Sequence, residues 1–338
     1  MAWLSGYSYR QKIPIGNCSD GSKTNYQKVI TINSGSGTST AGNIYLQGHA
    51  KNFPNDIRFT KADGTTLIDF WRYSSDSSSG IWWVELPNID GTNATDYYIY
   101  YGKTDDTDAS NITNTFIFGD DFQYSWTDSD LNTGSHTDWD NKWLHQYTSG
   151  TSAIEDDGSR RVLSLYGKAS SWQFEGWSAY DTISYPYIVE YDFAPQENHS
   201  GVSWTTLSTE YNPNSDGSLN ASYQKYSGGE RLSLITTNKT LYTTNVTLTK
   251  YQYYKFKAIF SNDDFHLYLD DVLKIDQTNT TPASTYKPNI IIVFTGSINV
   301  HFHIDNFRIR QYTANDPSWN NPSSEETAPV VANFFPFF

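Results

Sequence analysis

Short runs in which apolar and polar residues alternate dominate the chain, and stretches with a helical period are few. Alternation sends successive side chains to opposite faces of an extended backbone, so these runs predict β-strands. Residues 7–15 alternate up to Gly16, and residues 27–32 set Val29 and Thr31 against Ile30 and Ile32. Residues 56–60 place Ile57 and Phe59 on one face; residues 81–86 stop at Pro87 and residues 97–101 at Gly102. Residues 61–65 read as a turn, because Asp63-Gly64 supports the positive φ that a hairpin needs. Residues 104–114 are polar, hold three aspartates and show no apolar period, so they read as a linker. Strands resume at 161–166, 187–193, 232–236, 253–260, 265–269, 290–294 and 300–310.

Two segments frame the later strands. Phe118-Gly119-Asp120-Asp121-Phe122 is answered far along the chain by His303-Ile304-Asp305-Asn306-Phe307-Arg308-Ile309-Arg310. An aromatic–acidic opening strand and a closing strand of this kind predict a sandwich whose first and last strands are neighbours. The expected fold class is all-β, two jelly-roll-like β-sandwich domains in tandem. The expected division is 1–115 for the first domain, 116–313 for the second and 314–338 for a tail. That tail is polar and Pro/Ser-rich up to Thr327 and apolar from Val330 on.

Four blocks of the first domain resemble a domain-of-unknown-function family common in archaeal and bacterial surface proteins. They are Tyr9-Arg10-Gln11-Lys12-Ile13-Pro14-Ile15, Asp56-Ile57-Arg58-Phe59-Thr60 with Asp63-Gly64-Thr65, Trp83-Val84-Glu85-Leu86-Pro87, and Tyr97-Tyr98-Ile99-Tyr100-Tyr101-Gly102. Phe70-Trp71-Arg72 departs from the usual Trp-Ile after the hairpin. The family implies no catalytic residue. Residues 253–260 followed by Phe265-His266-Leu267-Tyr268-Leu269-Asp270-Asp271 resemble the laminin-G or concanavalin A-like signature, with Asp271 where glycine is usual. The resemblance implies a concanavalin-like second sandwich.

A length of 338 residues suffices for two domains with full cores. A net charge of −14 argues against nucleic acid and anionic membranes as partners. Cys18 is the lone cysteine, so no internal disulfide forms. No run approaches the roughly 18 apolar residues of a membrane span, so membrane insertion is not expected. Aromatics make up 16% of the chain, alongside abundant Ser, Thr, Asn and Gly, a profile of all-β surface proteins. The first residues lack the basic start and apolar run of a signal peptide. The expected location is nonetheless extracellular, on a cell or virion surface. Either a start codon has replaced an export signal, or the protein leaves its cell by another route, such as a virus particle.

Candidate chemistry is sparse. The concanavalin resemblance brings in glycoside hydrolases that carry Glu-x-Asp-x-x-Glu on one strand. Glu190 and Asp192 would share a strand face here, but Glu197 falls two residues beyond the motif and Pro195 interrupts the strand. Retaining hydrolysis needs carboxyls about 5–5.5 Å apart, which this spacing does not promise. No catalytic residue is therefore assigned, and the protein is expected not to be an enzyme. Asp120, Asp121 and Asp305, on strands expected to be neighbours, are the candidates for a structural calcium. His301 and His303 share a strand face and read as packing or surface residues. Sugar rings stack on flat aromatic faces, which makes Trp82, Trp172, Trp177 and Tyr180 the candidate glycan contacts. Trp82 would turn outward if Trp83 faces the core.

The apolar residues Val330, Val331, Phe334, Phe335, Phe337 and Phe338 are the candidate contacts for assembly into a homo-oligomer or fibre. The expected function is a non-catalytic structural or adhesive protein of a cell or virion surface, with glycans as ligand class. A carbohydrate-binding module without an assembly role and a glycoside hydrolase are the alternatives.

Overall fold

The computed structural model describes residues 2–329 except 180–181, 185, 198–203, 209–219, 227, 236–240, 262–264, 278–284 and 287–288. Along the chain run β1 (Tyr9–Lys12), β2 (Tyr26–Asn33), β3 (Asn43–Tyr45), β4 (Arg58–Lys61), β5 (Leu67–Ile68), β6 (Phe70–Ser75), β7 (Ser79–Leu86), β8 (Tyr97–Tyr101) and the short helix α1 (Ile112–Thr115). There follow β9 (Phe118–Asp120), helix α2 (Thr137–Asp140), β10 (Trp143–Thr148), β11 (Thr151–Asp156), β12 (Arg161–Ala179), β13 (Ile183–Ser184), β14 (Tyr187–Pro195), β15 (Trp204–Ser208) and β16 (Asn220–Tyr226). The rest are β17 (Gly229–Ile235), β18 (Leu241–Asn245), β19 (Tyr254–Phe260), β20 (Phe265–Leu269), β21 (Val272–Gln277), β22 (Thr285–Tyr286), β23 (Asn289–Gln311) and β24 (Glu326–Thr327). The chain divides into two units: residues 1–116 with 313–338, and residues 117–312. The second unit is thus an insertion within the first.

The first unit is a sandwich of two sheets, β24-β1-β8-β4-β5 and β3-β2-β7-β6. Ile30, Ile32, Trp82 and Val84 from one sheet meet Phe59, Ile99 and Tyr101 from the other in a shared core. Gly64 adopts φ +82 in the hairpin between β4 and β5, a backbone region that L side chains avoid. The aspartates of residues 104–114 do not belong to a free linker. Asp106 is buried and pairs with Arg58 at 3.0 Å, and Asp108 pairs with Arg72 at 2.6 Å. Charge pairing with arginines of β4 and β6 holds this polar stretch on the sandwich.

Residues 313–327, almost all of them read from the sequence as the start of a tail, likewise belong to the first unit's fold. In β24, Thr327 stands opposite Tyr9 and Glu326 opposite Arg10, extending the five-stranded sheet. Trp319 is 6% exposed, and its indole N–H donates to the Val29 carbonyl at 2.7 Å. Asp316 pairs with Lys28 and Glu326 with Arg10, each at 2.7 Å. One buried tryptophan anchors a segment whose other residues are the polar rim of a folded sheet. Residues 330–338, which include all the candidate assembly residues, lie outside the described residues.

In the second unit two long antiparallel strands, β12 and β23, run through both layers. The first part of β23 pairs with β15, leading on to β16, β17 and β18. Its last part pairs with β14 and β9, leading on to β19, β20 and β21. Tyr223, Leu232, Leu234 and Ile290 from the first group pack in one core with Tyr191, Phe193, Phe256, Phe302 and Ile304 from the second. In β19 buried residues alternate with half-buried ones, the pattern of a strand with one face on a core. The framing segments meet: Phe118 stands opposite Ile309 and Asp120 opposite Phe307.

Candidate functional sites

Two of the four aromatic residues put forward as sugar platforms, Trp82 and Trp177, are core residues. Trp82 is fully buried, facing the other sheet with Val84 and Leu86. Trp83 points the opposite way and is buried too, against Trp71, Ile112 and Phe116. The expected phase is therefore reversed: Trp82, expected to turn outward, faces the core, and Trp83, expected in the core, lies on the other face, where α1 and Phe116 cover it. Trp177 is 4% exposed and donates its indole N–H to Ser152 Oγ at 2.8 Å. Trp172 lies in β12 with its side chain outside the described residues, and Tyr180 is outside them altogether.

Glu190 and Asp192 share the face of β14 that points away from the core, as alternation required. Neither is a free carboxylate. Arg308 Nε donates to Glu190 Oε2 at 2.9 Å and Arg310 Nη2 to Oε1 at 3.1 Å. Burial alone pushes the Glu190 carboxyl up, but Arg310 and Arg308 overcome it and hold the group at about 2. A carboxyl ionised at every ordinary pH cannot serve as the general acid of glycoside hydrolysis. Asn306, a bulge residue with φ +55, donates from Nδ2 to Asp192 Oδ2 at 2.7 Å. Glu197 lies apart, 3.5 Å from Lys250.

The calcium candidates sit in the same region. Asp305 is buried and 2.7 Å from Arg160 Nη1. Burial pushes its carboxyl up to about 8, with Arg160 opposing and Asp192 adding to the shift. Asp120 accepts from the Phe122 amide at 2.9 Å, the Tyr124 hydroxyl at 2.5 Å and the Trp143 indole at 2.7 Å. Protein donors therefore occupy the oxygens of Asp120 and Asp305, while Asp121 is half-buried at the edge. Among the described residues, the three groups whose donor atoms converge within 4.8 Å are Glu155, His301 and His303. His-x-His is legible on a strand; Glu155 is not, because only the pairing of β11, β12 and β23 brings it there.

A further feature lies in the first unit, where the β6–β7 hairpin leaves an open depression of about 500 Å³. Thr31, Ser74, Ser75, Asp76 and Ser79 line it together with Gly80 and Ile81. A Cβ on Gly80 would lie 2.6 Å from the Ser74 carbonyl oxygen and 2.7 Å from the Trp82 ring, so this position has room only for glycine. Asp76 Oδ1 accepts from the Ser78 hydroxyl and amide at 2.7 Å and from the Ser79 amide at 2.9 Å. Those bonds, the Ser78 hydroxyl first, hold the Asp76 carboxyl below its ordinary range. The result is an ionised carboxylate among hydroxyls at a surface. The serine-rich run 74–79 was the sequence signal for it.

The family model "Domain of unknown function (DUF2341)" matches residues 54–144, from the loop before β4 to the start of β10 and thus across the boundary between the units. No curated protein matches. Among solved structures, β-agarase A from Zobellia galactanivorans is 14% identical, with a TM-score of 0.42 over 57% of this chain and 90% of its own. A Bacillus licheniformis β-glucanase is 13% identical, with a TM-score of 0.40 over 56% of this chain and 100% of its own. A carbohydrate-binding module from Bacillus subtilis is 14% identical, with a TM-score of 0.37 over 51% of this chain and 96% of its own. No helix among the described residues is long and apolar enough to cross a membrane.

Proposed function

We propose that this chain is a non-catalytic β-sandwich protein of an extracellular, cell or virion surface, and that it binds glycans in the depression of its first unit. The observation that carries this reading is the ionised Asp76 among the hydroxyls of Thr31, Ser74, Ser75 and Ser79 in a sugar-sized, solvent-open hollow. A sugar presents hydroxyl donors, and a carboxylate with serine and threonine neighbours is the matching set of acceptors and donors. The non-catalytic part rests on Glu190, whose two arginines leave it no proton to give. Assembly through the apolar residues of 330–338 completes the proposal.

Isothermal titration against a panel of oligosaccharides tests it. Asp76→Asn keeps the turn-capping oxygen but removes the charge. Hydrogen bonds to charged groups contribute about 1.5–3 kcal/mol, so binding should weaken about tenfold or more. Sugar binding that Asp76→Asn leaves unchanged, or no binding across the panel, would sink the reading.

A further inference from the structure

Glu155 and the two histidines come from strands that are not neighbours. β12 lies between β11 and β23, and Ser164 stands opposite both Ala153 and His303. Ile154, Leu163, Leu165, Phe302 and Ile304 point into the core of the second unit. The residues alternating with them, Glu155, Ser164, His301 and His303, therefore share the other face. The short side chain of Ser164 lets Glu155 reach across β12. Glu155 Oε1 is 2.7 Å from His303 Nε2 and 3.7 Å from His301 Nε2. Ser164 Oγ is 2.8 Å from His301 Nε2, and Tyr166 packs edge-on against the His301 ring with centroids 5.9 Å apart.

We infer that this face is a site for a divalent transition metal of the zinc class, ligated by His301 Nε2, His303 Nε2 and Glu155 Oε1. Zinc bonds of about 2.0–2.2 Å at tetrahedral angles set ligand atoms about 3.3 Å apart. The 2.7 and 3.7 Å separations from Glu155 bracket that value, and all three donor atoms lie within 4.8 Å of one another, so side-chain adjustments on the order of an ångström seat the ion. Two imidazoles with one carboxylate suit zinc and its neighbours, whereas calcium and magnesium require oxygen ligands. Ser164 Oγ shares a nitrogen with the ion and gives way by rotating about one bond. The Glu155 side chain is 41% exposed and that of His301 24%, so solvent reaches the site and a fourth ligand position stays open. The ion would tie β11 to β23 across the strand between them.

Titration of the full chain, free of any affinity tag, with zinc chloride at neutral pH tests the site. One equivalent should bind, raise the melting temperature and be removed by EDTA, and calcium or magnesium chloride should not compete with zinc for this site. Loss of an outer partner alone weakens metal sites about 10–100-fold, so losing a direct ligand should cost at least about tenfold. His301→Ala with His303→Ala is the direct variant, with its metal-free melt compared to that of the parent chain. Glu155→Gln, at a half-exposed side chain, keeps the fold in any case and should weaken zinc at least about tenfold as well. A parent chain that takes up no zinc at one equivalent, or Glu155→Gln binding it as tightly as the parent, overturns the site.

Discussion

Arg308→Met tests what holds the outward face of β14 together. Arg308 is 1% exposed and Glu190 3% exposed, so the variant leaves a buried carboxylate with Arg310 as its remaining direct ion-pair partner and Lys257 further off. Breaking a buried pair by removing one partner costs about 3–5 kcal/mol, because the remaining charge is stranded. Linkage gives a similar size. A glutamate near 4.5 when unfolded and held at about 2 when folded contributes about 3 kcal/mol at neutral pH. Because the folded value is the lower one, this contribution is present above pH 4.5 and fades as pH falls through about 2. Thermal unfolding followed by circular dichroism at pH 7 should show the second unit melting about 10 °C lower in Arg308→Met. Between pH 4.5 and 2 the parent chain should lose stability more steeply than the variant. Glu190→Leu combined with Arg308→Met should recover part of the loss, since the buried carboxylate is then gone and only the partly exposed Arg310 keeps its charge. A single-variant cost below about 1 kcal/mol, or a double variant no more stable than the single, would refute the clamp.

The returning segment and the apolar one after it make separable predictions. Trp319→Ala should cost the first unit about 3–5 kcal/mol in urea unfolding, as truncating a buried aromatic does. A cost under about 1 kcal/mol would mean that the segment is not anchored by this side chain. Removing residues 330–338 should leave both units folded and abolish self-association in sedimentation velocity. A truncated chain that sediments like the full one would show that these residues do not join copies.

Elements were legible in this sequence wherever the information is local. A period of two marks a strand whatever it pairs with, and Asp63-Gly64 marks a turn because glycine tolerates φ +82. The opening and closing segments were also legible as partners, and β9 does lie against β23. Which faces are covered could not be read that way. Trp82 and Trp83 alternate as a strand must, yet α1 buries the second face, and nothing within the strand announces a cover contributed by residues 112–116. Polar composition set residues 104–114 apart as a linker and 314–327 as part of a tail, but Asp106 and Asp316 find Arg58 and Lys28 only after the chain has folded back. The same holds for the carboxylates. Glu190 and Asp192 could be placed on one face from spacing alone, while the arginines that fix the charge of Glu190 arrive from a strand far along the chain. Glu155 meets His301 and His303 for the same reason: pairing across β12 brings together residues that sequence separation keeps apart. Periodicity is a property of neighbouring residues, so the sequence determined the strands. Charge state and ligation depend on what lies across a sheet, so the tertiary structure decided the sites.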